Sequence, residues 1–313
     1  MHYVLKKTGV LLATLLLVSL FAFLAFEIIP GDPTTMLLGS DYTPERAEAL
    51  RQSLGLDRNV FLRFFDWLCA FLRGDMGTSY SYAMPVREVL RGKIAVTAVL
   101  SLMSWVLVVS VSVPLGIALV RFQNKAFGRI CNPLNQVIMA IPTFFLGILL
   151  TYVFGLVLKL FTPGRFIPFR ESVSGCLRYL LFPALAISLP KIAKTARLLR
   201  ASILGEMKQD YVLTAYSHGN SRWLVIRNHV VRNALLPVVT YLAMSLADIV
   251  ASSIIVEQVF VVPGLGRLLV ASISNRDYPV ALSIVVMIAS VVVVMNYLAD
   301  ILTQAIDPRV RLS

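Results

Sequence analysis

The sequence predicts an all-α polytopic membrane protein with about six transmembrane helices. Of its 313 residues, 58% are hydrophobic and only 15% are charged, and the apolar residues stand in long blocks. Soluble domains are about 45–50% apolar and about 25% charged. A spanning helix needs about 20 consecutive, mostly apolar residues. Most of the surface is therefore expected to face lipid or neighbouring helices.

Six apolar blocks predict the spans. Four of the five long blocks contain no charge, and the fourth long block contains one charge, Asp248. A shorter block, 179–190, has only 12 residues before Lys191, so we predict a helix that begins inside the bilayer and continues into the cytosol. The long blocks are 10–26, 94–120, 130–158, 234–256 and 280–299.

The net charge of +12 predicts the orientation of these helices. Short cytoplasmic loops carry an excess of Lys and Arg. Lys6 and Lys7 precede the first span, and segment 191–232 holds eight basic residues against two acidic ones. We therefore expect both termini in the cytoplasm, although segment 159–178, with four basic residues and one acidic residue, fits less well. Because the basic residues lie in loops between spans, the positive net charge indicates a lipid bilayer as the partner and does not indicate nucleic acid.

Polarity divides the chain into three parts. Residues 1–29 form an N-terminal segment with the first span, and residues 30–93 form an extracytoplasmic segment that is too polar to span. Residues 94–313 form the transmembrane core, which includes a basic cytoplasmic segment at 200–237.

The extracytoplasmic segment is predicted to contain short helices. Thr43 and Pro44 are typical of a helix start, and Gly55 of a helix stop. A second helix follows, because apolar residues recur there at helical spacing before Gly74. We expect it to lie on the membrane surface or to pack against the spans. Its apolar residues are Phe61, Phe64, Phe65, Leu68 and Leu72.

The cytoplasmic segment predicts two helices that a glycine separates. Asp210 can cap a short first helix, and Gly219 can end it in the left-handed conformation. Ser221 can cap a second helix, which runs toward Pro237. Such a compact, basic protrusion suits docking to a cytosolic partner, but an ordinary solvated loop explains the pattern equally well.

No catalytic or metal site is expected in this chain. The three cysteines and three histidines show no metal-like spacing, and no phosphate-binding G-x-x-x-x-G-K-[ST] motif occurs. In the predicted topology Cys69 and Cys176 both lie outside, so a disulfide stays open, although unpaired cysteines are the simpler interpretation.

A series of stretches along nearly the whole chain resembles the binding-protein-dependent permeases of ABC importers, in the dipeptide, oligopeptide and nickel branch. Tyr216-Ser217-His218 and Asn220 depart from that branch's usual pattern. In the cytoplasmic segment, Ala215, Gly219 and Pro237 match it. The other matching stretches are Ile29-Pro30-Gly31-Asp32-Pro33, Leu54-Gly55-Leu56-Asp57, Gly74-Asp75-Met76-Gly77-Thr78-Ser79, Val256-Glu257-Gln258-Val259-Phe260, Pro263-Gly264-Leu265-Gly266-Arg267, Asn275-Arg276-Asp277-Tyr278-Pro279 and Asp307-Pro308-Arg309-Val310-Arg311.

The resemblance implies a fold like that of type I ABC importer permeases, in a bacterial inner membrane. It implies two cytosolic ATPase subunits that hold ATP and Mg²⁺, a second permease subunit of the paralogous kind, and an extracytoplasmic substrate-binding protein. The chain itself would bind no cofactor. Its cytoplasmic segment would transmit movement of the ATPases to the spans. The implied ATPase-coupling residues are Asp210, Tyr211, Ala215, Gly219, Ser221 and Pro237.

Polar residues inside the predicted spans are candidates for the translocation path. An ionisable group within a span is costly and often functional, but polar residues also join helices by hydrogen bonds. The candidates are Asp248, Ser245, Ser252 and Asn296. The branch resemblance implies short peptides as cargo, with nickel or a metal chelate as the alternative. A secondary transporter or an intramembrane enzyme would lack the matched cytoplasmic segment.

Overall fold

The computed structural model describes residues 2–28, 34, 38, 41–53, 55 and 57–306. Helices dominate these ranges, which contain no β-strand beyond an isolated bridge between Thr78 and Pro85. The all-α prediction is confirmed. Five helices are long and apolar enough to cross a membrane, and a sixth span results if a bent helix pair is counted as one. The matched stretches at 29–33 and 307–311, with Leu54 and Leu56, lie outside the described residues.

The helices of the described residues are numbered α1 to α13 in chain order. Two of these helices contain π-helical turns, at Thr151–Val157 and Ile226–Val230. In chain order the helices are α1 (His2–Ile28), α2 (Pro44–Ser53), α3 (Val60–Leu72), α4 (Val86–Leu90), α5 (Lys93–Arg121), α6 (Ala126–Ala140), α7 (Thr143–Val157), α8 (Val173–Glu206), α9 (Asp210–Ser217), α10 (222–234), α11 (Leu236–Val259), α12 (Leu265–Ser274) and α13 (Tyr278–Ile306).

Contacts within the chain define two compact units. The first comprises Met1–Thr97 and Pro263–Val293, and the second comprises Ala98–Val262 and Val294–Ser313. The three-part division predicted from polarity stays a prediction.

In the first unit, α3 packs against spans. Phe64 on α3 is buried together with Phe23 on α1 and Leu282 on α13. The Phe23 and Phe64 rings meet edge to face, with centroids 5.6 Å apart, which is a favourable aromatic geometry. The apolar stripe predicted for α3 is only partly buried, because Phe61 and Phe65 remain exposed. Of the two expected locations, packing on the spans is therefore the observed one.

Local signals at the start of the extracytoplasmic segment are confirmed. Pro44 is the first residue of α2, where its missing N–H costs nothing. The hydroxyl of Thr43 accepts a hydrogen bond from the Arg46 backbone N–H at 3.3 Å. Gly55 follows the helix with a φ of +65°, in the left-handed region that glycine adopts without strain.

In the second unit, block 130–158 lies on two helices, α6 and α7, that a sharp bend separates. The two helices meet at an angle of 108°. Ile141 precedes Pro142 and is extended, as residues before proline prefer, and it interrupts the helix. A charge-free run indicates apolar character but not direction, so the block predicted a span without predicting this bend; counted as one span, the bent pair gives the six predicted.

Helix α8 extends the short predicted block at both ends. It runs for 34 residues, or about 51 Å at 1.5 Å per residue, against a hydrocarbon thickness of about 30 Å. The helix continues past Lys191, as the prediction of a helix reaching beyond the apolar block required, although it begins at Val173, before that block. Asn135 of α6 donates to the backbone carbonyl of Ala193 in α8 at 2.8 Å. The three cysteines are free, so the unpaired interpretation is confirmed.

Helices α5 and α8 approach closely at Gly116. A Cβ atom there would lie 2.9 Å from Leu199 Cδ2 and 3.1 Å from the carbonyl oxygen of Ala196. Both distances are shorter than ordinary van der Waals contact, and the backbone oxygen cannot move without displacing α8. Gly116 therefore sets the spacing between these two helices.

We expect Gly116→Ala to destabilise the protein by about 1–3 kcal/mol, the usual cost of overpacking a close contact. Thermal unfolding in mild detergent measures the effect as a lower Tm. Gly205→Ala is the matched control, since Gly205 also lies in a helix but has open space around it. That control should keep or raise Tm, because alanine favours helix by up to about 1 kcal/mol. Equal shifts in both variants would contradict close packing at Gly116.

Candidate functional site

The predicted cytoplasmic segment forms a small helical subdomain in the second unit. Helix α9 buries Val212 and Ala215, whereas Leu213 between them has 65% of its surface exposed. Burial of residues 212 and 215 on one face anchors the helix through i, i+3 packing. The opposite face carries an exposed leucine that no packing within this unit requires.

The helix starts differ in detail from the predicted caps. Asp210 is the first residue of α9, and Gln209 occupies the cap position without a side-chain hydrogen bond. Asp210 instead places its carboxylate in the first turn, where the helix dipole favours negative charge. Ser221 does stand at the cap position of α10, but its side chain makes no capping hydrogen bond. The prediction that Asp210 caps α9 was therefore wrong. Ser221 occupies the predicted N-cap position of α10 but does not make the expected capping hydrogen bond.

Gly219 ends α9 as predicted. Its φ is +80°, and its N–H donates to the Tyr216 carbonyl at 2.9 Å. Asn220 then donates its side-chain amide to the Ala215 carbonyl at 3.0 Å. This bond satisfies a carbonyl at the end of the helix. Asn220, a departure from the usual pattern of the branch, therefore has a structural role here.

Tyr211 joins the end of α8 to the start of α9. Its hydroxyl donates to the Glu206 carboxylate at 2.7 Å. Burial raises the pKa of Tyr211, the bond to Glu206 raises it further, and a hydrogen bond with Asn233 opposes both effects. The phenol thus stays protonated and bridges α8 with α10, which carries Asn233.

Helix α10 contacts the end of α5 and leads into α11. The Arg121 guanidinium lies 4.3 Å from the centre of the Trp223 ring, a cation–π distance. Val225 and Val230 are buried on the inner face of α10. Pro237 is near the N-terminus of α11, where proline is tolerated. The segment is therefore held to three long helices: α5, α8 and α11.

The predicted path residues fall into different environments. On α11, Asp248 is exposed, and the Ser252 hydroxyl donates to the Asp248 backbone carbonyl at 2.6 Å. Ser245 is buried and donates to the Leu242 carbonyl at 2.7 Å, so its hydroxyl is used within the helix. Asn296 is exposed on α13. The structure thus brings Asp248 and Ser252 together and separates Ser245 from any open surface of this unit.

A lysine that the sequence prediction assigned to the cytoplasmic loop lies beside Asp248. Lys191 Nζ is 3.9 Å from Asp248 Oδ2, and 13% of the lysine side chain is exposed, against 67% of the aspartate. One turn further, Lys194 Nζ lies 5.1 Å from the centre of the Tyr241 ring. The sequence did not predict these contacts, because Lys191 follows the short apolar block 179–190 and was counted with the cytoplasmic charges. In the structure the helix continues through Lys191 and Lys194.

Two further buried carboxylates were also missed. Glu257, one residue beyond block 234–256, is fully buried in the last turns of α11. In the first unit, the fully buried Asp277 accepts a hydrogen bond from the Ser79 hydroxyl at 2.5 Å. Asp277 also accepts from the backbone N–H groups of Tyr80 at 3.1 Å and Ser81 at 3.3 Å.

The hydrogen bonds of Asp277 join the turn at residues 79–82 to the start of α13, and Ser79 and Asp277 lie 198 residues apart in the sequence. The Ser79 hydroxyl in turn accepts from the Tyr82 N–H at 3.0 Å. Burial raises the pKa of Tyr80, Arg63 lowers it, and the carboxylates of Asp277 and Glu27 raise it further. The buried carboxylate of Asp277 thus has three hydrogen-bond donors, all from the turn at residues 79–82.

Among the described residues, no group of three or more His, Cys, Asp or Glu side chains could hold a metal ion. The second unit thus contains a helical subdomain at residues 210–234 and a pair of ionisable side chains, Lys191 and Asp248, on α8 and α11.

Comparison with known families decides the class of protein. Residues 112–312 match the family described as binding-protein-dependent transport system inner membrane component, and residues 1–101 match its N-terminal companion family. The chain belongs to this family of ABC importer permeases. The permease is thus a multi-pass component of the inner membrane.

Relatives of the permease align over nearly its whole length. It is 33% identical over 98% of both chains to a protein of Brucella abortus (strain 2308) named "Putative peptide transport system permease protein". It is 33% identical over 99% of both chains to the glutathione transport system permease protein GsiC of Salmonella choleraesuis (strain SC-B67). It is 30% identical over 99% of both chains to a "Probable peptide ABC transporter permease protein" of Sinorhizobium fredii (strain NBRC 101917 / NGR234).

Proposed function

We propose that this permease passes short peptides across the inner membrane after an extracytoplasmic binding protein delivers them. Two cytosolic ATPase subunits would hold ATP and Mg²⁺ and drive the cycle, and this chain would bind no cofactor. A second, paralogous permease would complete the path, with both termini of this chain in the cytoplasm. The relatives are named as permeases for peptides or glutathione, and these names support short peptides as cargo over nickel or a metal chelate.

The observation that carries the proposal is the exposed apolar tip of the 210–234 subdomain. Leu213 is exposed on a short helix whose other face is buried, and Gly219 turns the chain tightly behind it. A short helix can dock by laying an exposed apolar side chain into a hydrophobic groove of a partner, and Leu213 is the side chain of α9 placed to do so. Contacts of Tyr211 and Trp223 would pass a movement of this protrusion to α8 and α5. Rigid-body motion of the spans around a central path would follow.

Purification of the tagged permease from its native membranes in mild detergent tests the proposal. We expect the second permease and ATPase subunits to co-elute, with vanadate-sensitive ATP hydrolysis. Leu213→Glu should reduce ATPase recovery by about tenfold or more, because a buried interface anchor is lost and a charge is introduced. The second permease should still co-elute.

The matched control is Ser174→Glu, which adds the same charge at an exposed position in the first turn of α8, at the end of that helix remote from residues 210–234. It should leave ATPase recovery within about twofold of the wild type. A permease that elutes alone in several detergents, without ATP hydrolysis, would contradict the importer proposal and favour a secondary transporter.

A further inference from the structure

Helices α8 and α11 carry ionisable side chains in the middle of the second unit. Asp248 is the thirteenth of the 24 residues of α11, so it lies about 17 Å from either end. A charged side chain at such a depth is expensive in hydrocarbon and is normally found facing a partner or a water-filled cavity. The face that carries Asp248 is therefore not a lipid-facing surface.

The contact with Lys191 leaves the Asp248 carboxylate available to a second partner. At 3.9 Å, the Lys191 Nζ–Asp248 Oδ2 distance is an ion pair but is too long for a hydrogen bond. The lysine is largely buried and reduces the cost of the negative charge. Asp248, with 67% of its side chain exposed, presents its oxygens outward.

A second positive charge lies on the same pair of helices. Lys194 is exposed, and its Nζ stands 5.1 Å from the centre of the Tyr241 ring of α11. Tyr241 and Asp248 are seven residues apart, which is two helical turns and about 10 Å along the same face of α11. The two helices thus offer an ammonium group beside Tyr241 and a carboxylate two turns further along α11.

We propose that Asp248 and Lys194 form a transient binding site for zwitterionic short peptides on their way through the permease. Asp248 contacts the N-terminal ammonium group, and Lys194 contacts the C-terminal carboxylate. The termini of an extended di- or tripeptide lie about 7–11 Å apart, so a short peptide can span the two turns of α11 between Tyr241 and Asp248. This inference rests on the proposed function, because it specifies which feature of the peptide cargo the path recognises.

The arrangement also explains why one partner of the pair is buried and the other exposed. A site that passes its cargo onward must bind weakly enough to release it. Lys191 partly neutralises Asp248 and so weakens the attraction to an incoming ammonium group. Lys191 therefore acts as a positioning residue for the carboxylate and does not itself contact the peptide.

Transport by the full complex tests the proposal. The complex, with both permeases, the ATPases and the binding protein, is reconstituted in proteoliposomes. Initial uptake is measured for a dialanine-type peptide, its N-acetylated form and its C-amidated form. Each peptide saturates the binding protein, and each variant's rate is divided by the wild-type rate for the same peptide, so preferences of the binding protein cancel.

We expect Asp248→Asn to lower uptake of the free peptide about tenfold, the size of a lost charge-assisted hydrogen bond. Uptake of the N-acetylated peptide should fall less than twofold, because it has no ammonium group to lose. Lys194→Gln should show the converse, with the C-amidated peptide least affected. Asp66→Asn is the matched control, since Asp66 lies in an exposed ion pair in the first unit.

Equal losses for all three peptides would overturn the proposal, because they would indicate that Asp248 only holds helices together or contacts the second permease. Unchanged rates would overturn it too. If Asp248→Asn prevents assembly, the exchanged pair Lys191→Asp with Asp248→Lys retains an ion pair, and it should assemble but lose the preference for a free N-terminus. A wild-type complex that hydrolyses ATP without taking up any peptide would refute the proposed function itself.

Discussion

Replacement of Gly219 by valine is expected to lower substrate uptake about tenfold while the permease still inserts and assembles. Gly219 has a φ of +80° and open space around its Cα, so the conflict concerns backbone conformation alone. A side chain in this left-handed region costs about 1–2 kcal/mol, and a β-branched one is the least tolerated. Because 1.4 kcal/mol corresponds to tenfold in population, the turn behind α9 would be largely lost.

Uptake and ATP hydrolysis by the reconstituted complex measure this effect together. We expect hydrolysis to persist, since the ATPases remain intact, whereas uptake falls. Gly205→Val is the matched control, because Gly205 also has open space but lies in a regular helical conformation at the end of α8. Gly219→Asn should retain most uptake, as asparagine tolerates the left-handed region. Full uptake by Gly219→Val would show that this turn does not transmit movement.

Removal of the Asp277 carboxylate should release the turn at residues 79–82. Asp277→Ala leaves the Ser79 hydroxyl and two backbone N–H groups without their acceptor. Each unsatisfied buried group costs about 1–3 kcal/mol, so we expect a loss of at least about 3 kcal/mol in local stability. The turn precedes α4, whose Val86 and Leu90 are buried, so that helix should open with it.

Limited trypsin digestion in detergent measures the opening. Arg87 and Arg91 are exposed cleavage sites in and just after α4, and cleavage there should become about a hundredfold faster if it follows the opened population. Asp66→Ala is the control, since the Asp66–Arg58 pair is exposed and contributes less than about 1 kcal/mol. If Asp277→Ala is cleaved no faster than this control, Asp277 does not hold the turn.

Local signals in the sequence predicted the helices well where one residue type dictates one conformation. Pro44 starts α2, and Gly55 and Gly219 adopt positive φ after their helices. The apolar blocks predicted the spans because a helix that crosses lipid must satisfy its own backbone groups and cover them with apolar side chains. Helix ends set by the backbone preference of proline or glycine, and spans set by apolar composition, can therefore be predicted without a structure.

Direction and partnership were not predictable in this way. Block 130–158 is uniformly apolar, yet the chain turns by 108° between α6 and α7. Lys191 was counted with the charges of the cytoplasmic segment, although it pairs with Asp248 on α11. Asp210 has the residue type of a cap, but the helix begins at that residue. Each error concerns a choice among alternatives that the local sequence permits.

The sequence by itself determined a helical membrane protein with a basic segment between spans, because hydropathy, charge bias and glycine conformation act within a few residues of one another. Its identification as a permease followed from the resemblance of its motifs to a known family. Only the tertiary structure decided that Ser79 meets Asp277 and that Lys191 meets Asp248. Those contacts join residues 198 and 57 positions apart. The buried carboxylate of Asp277 is stabilised by donors that the fold brings to it, and the exposed Asp248 is paired with a lysine from another helix, so neither partner is a neighbour in the chain.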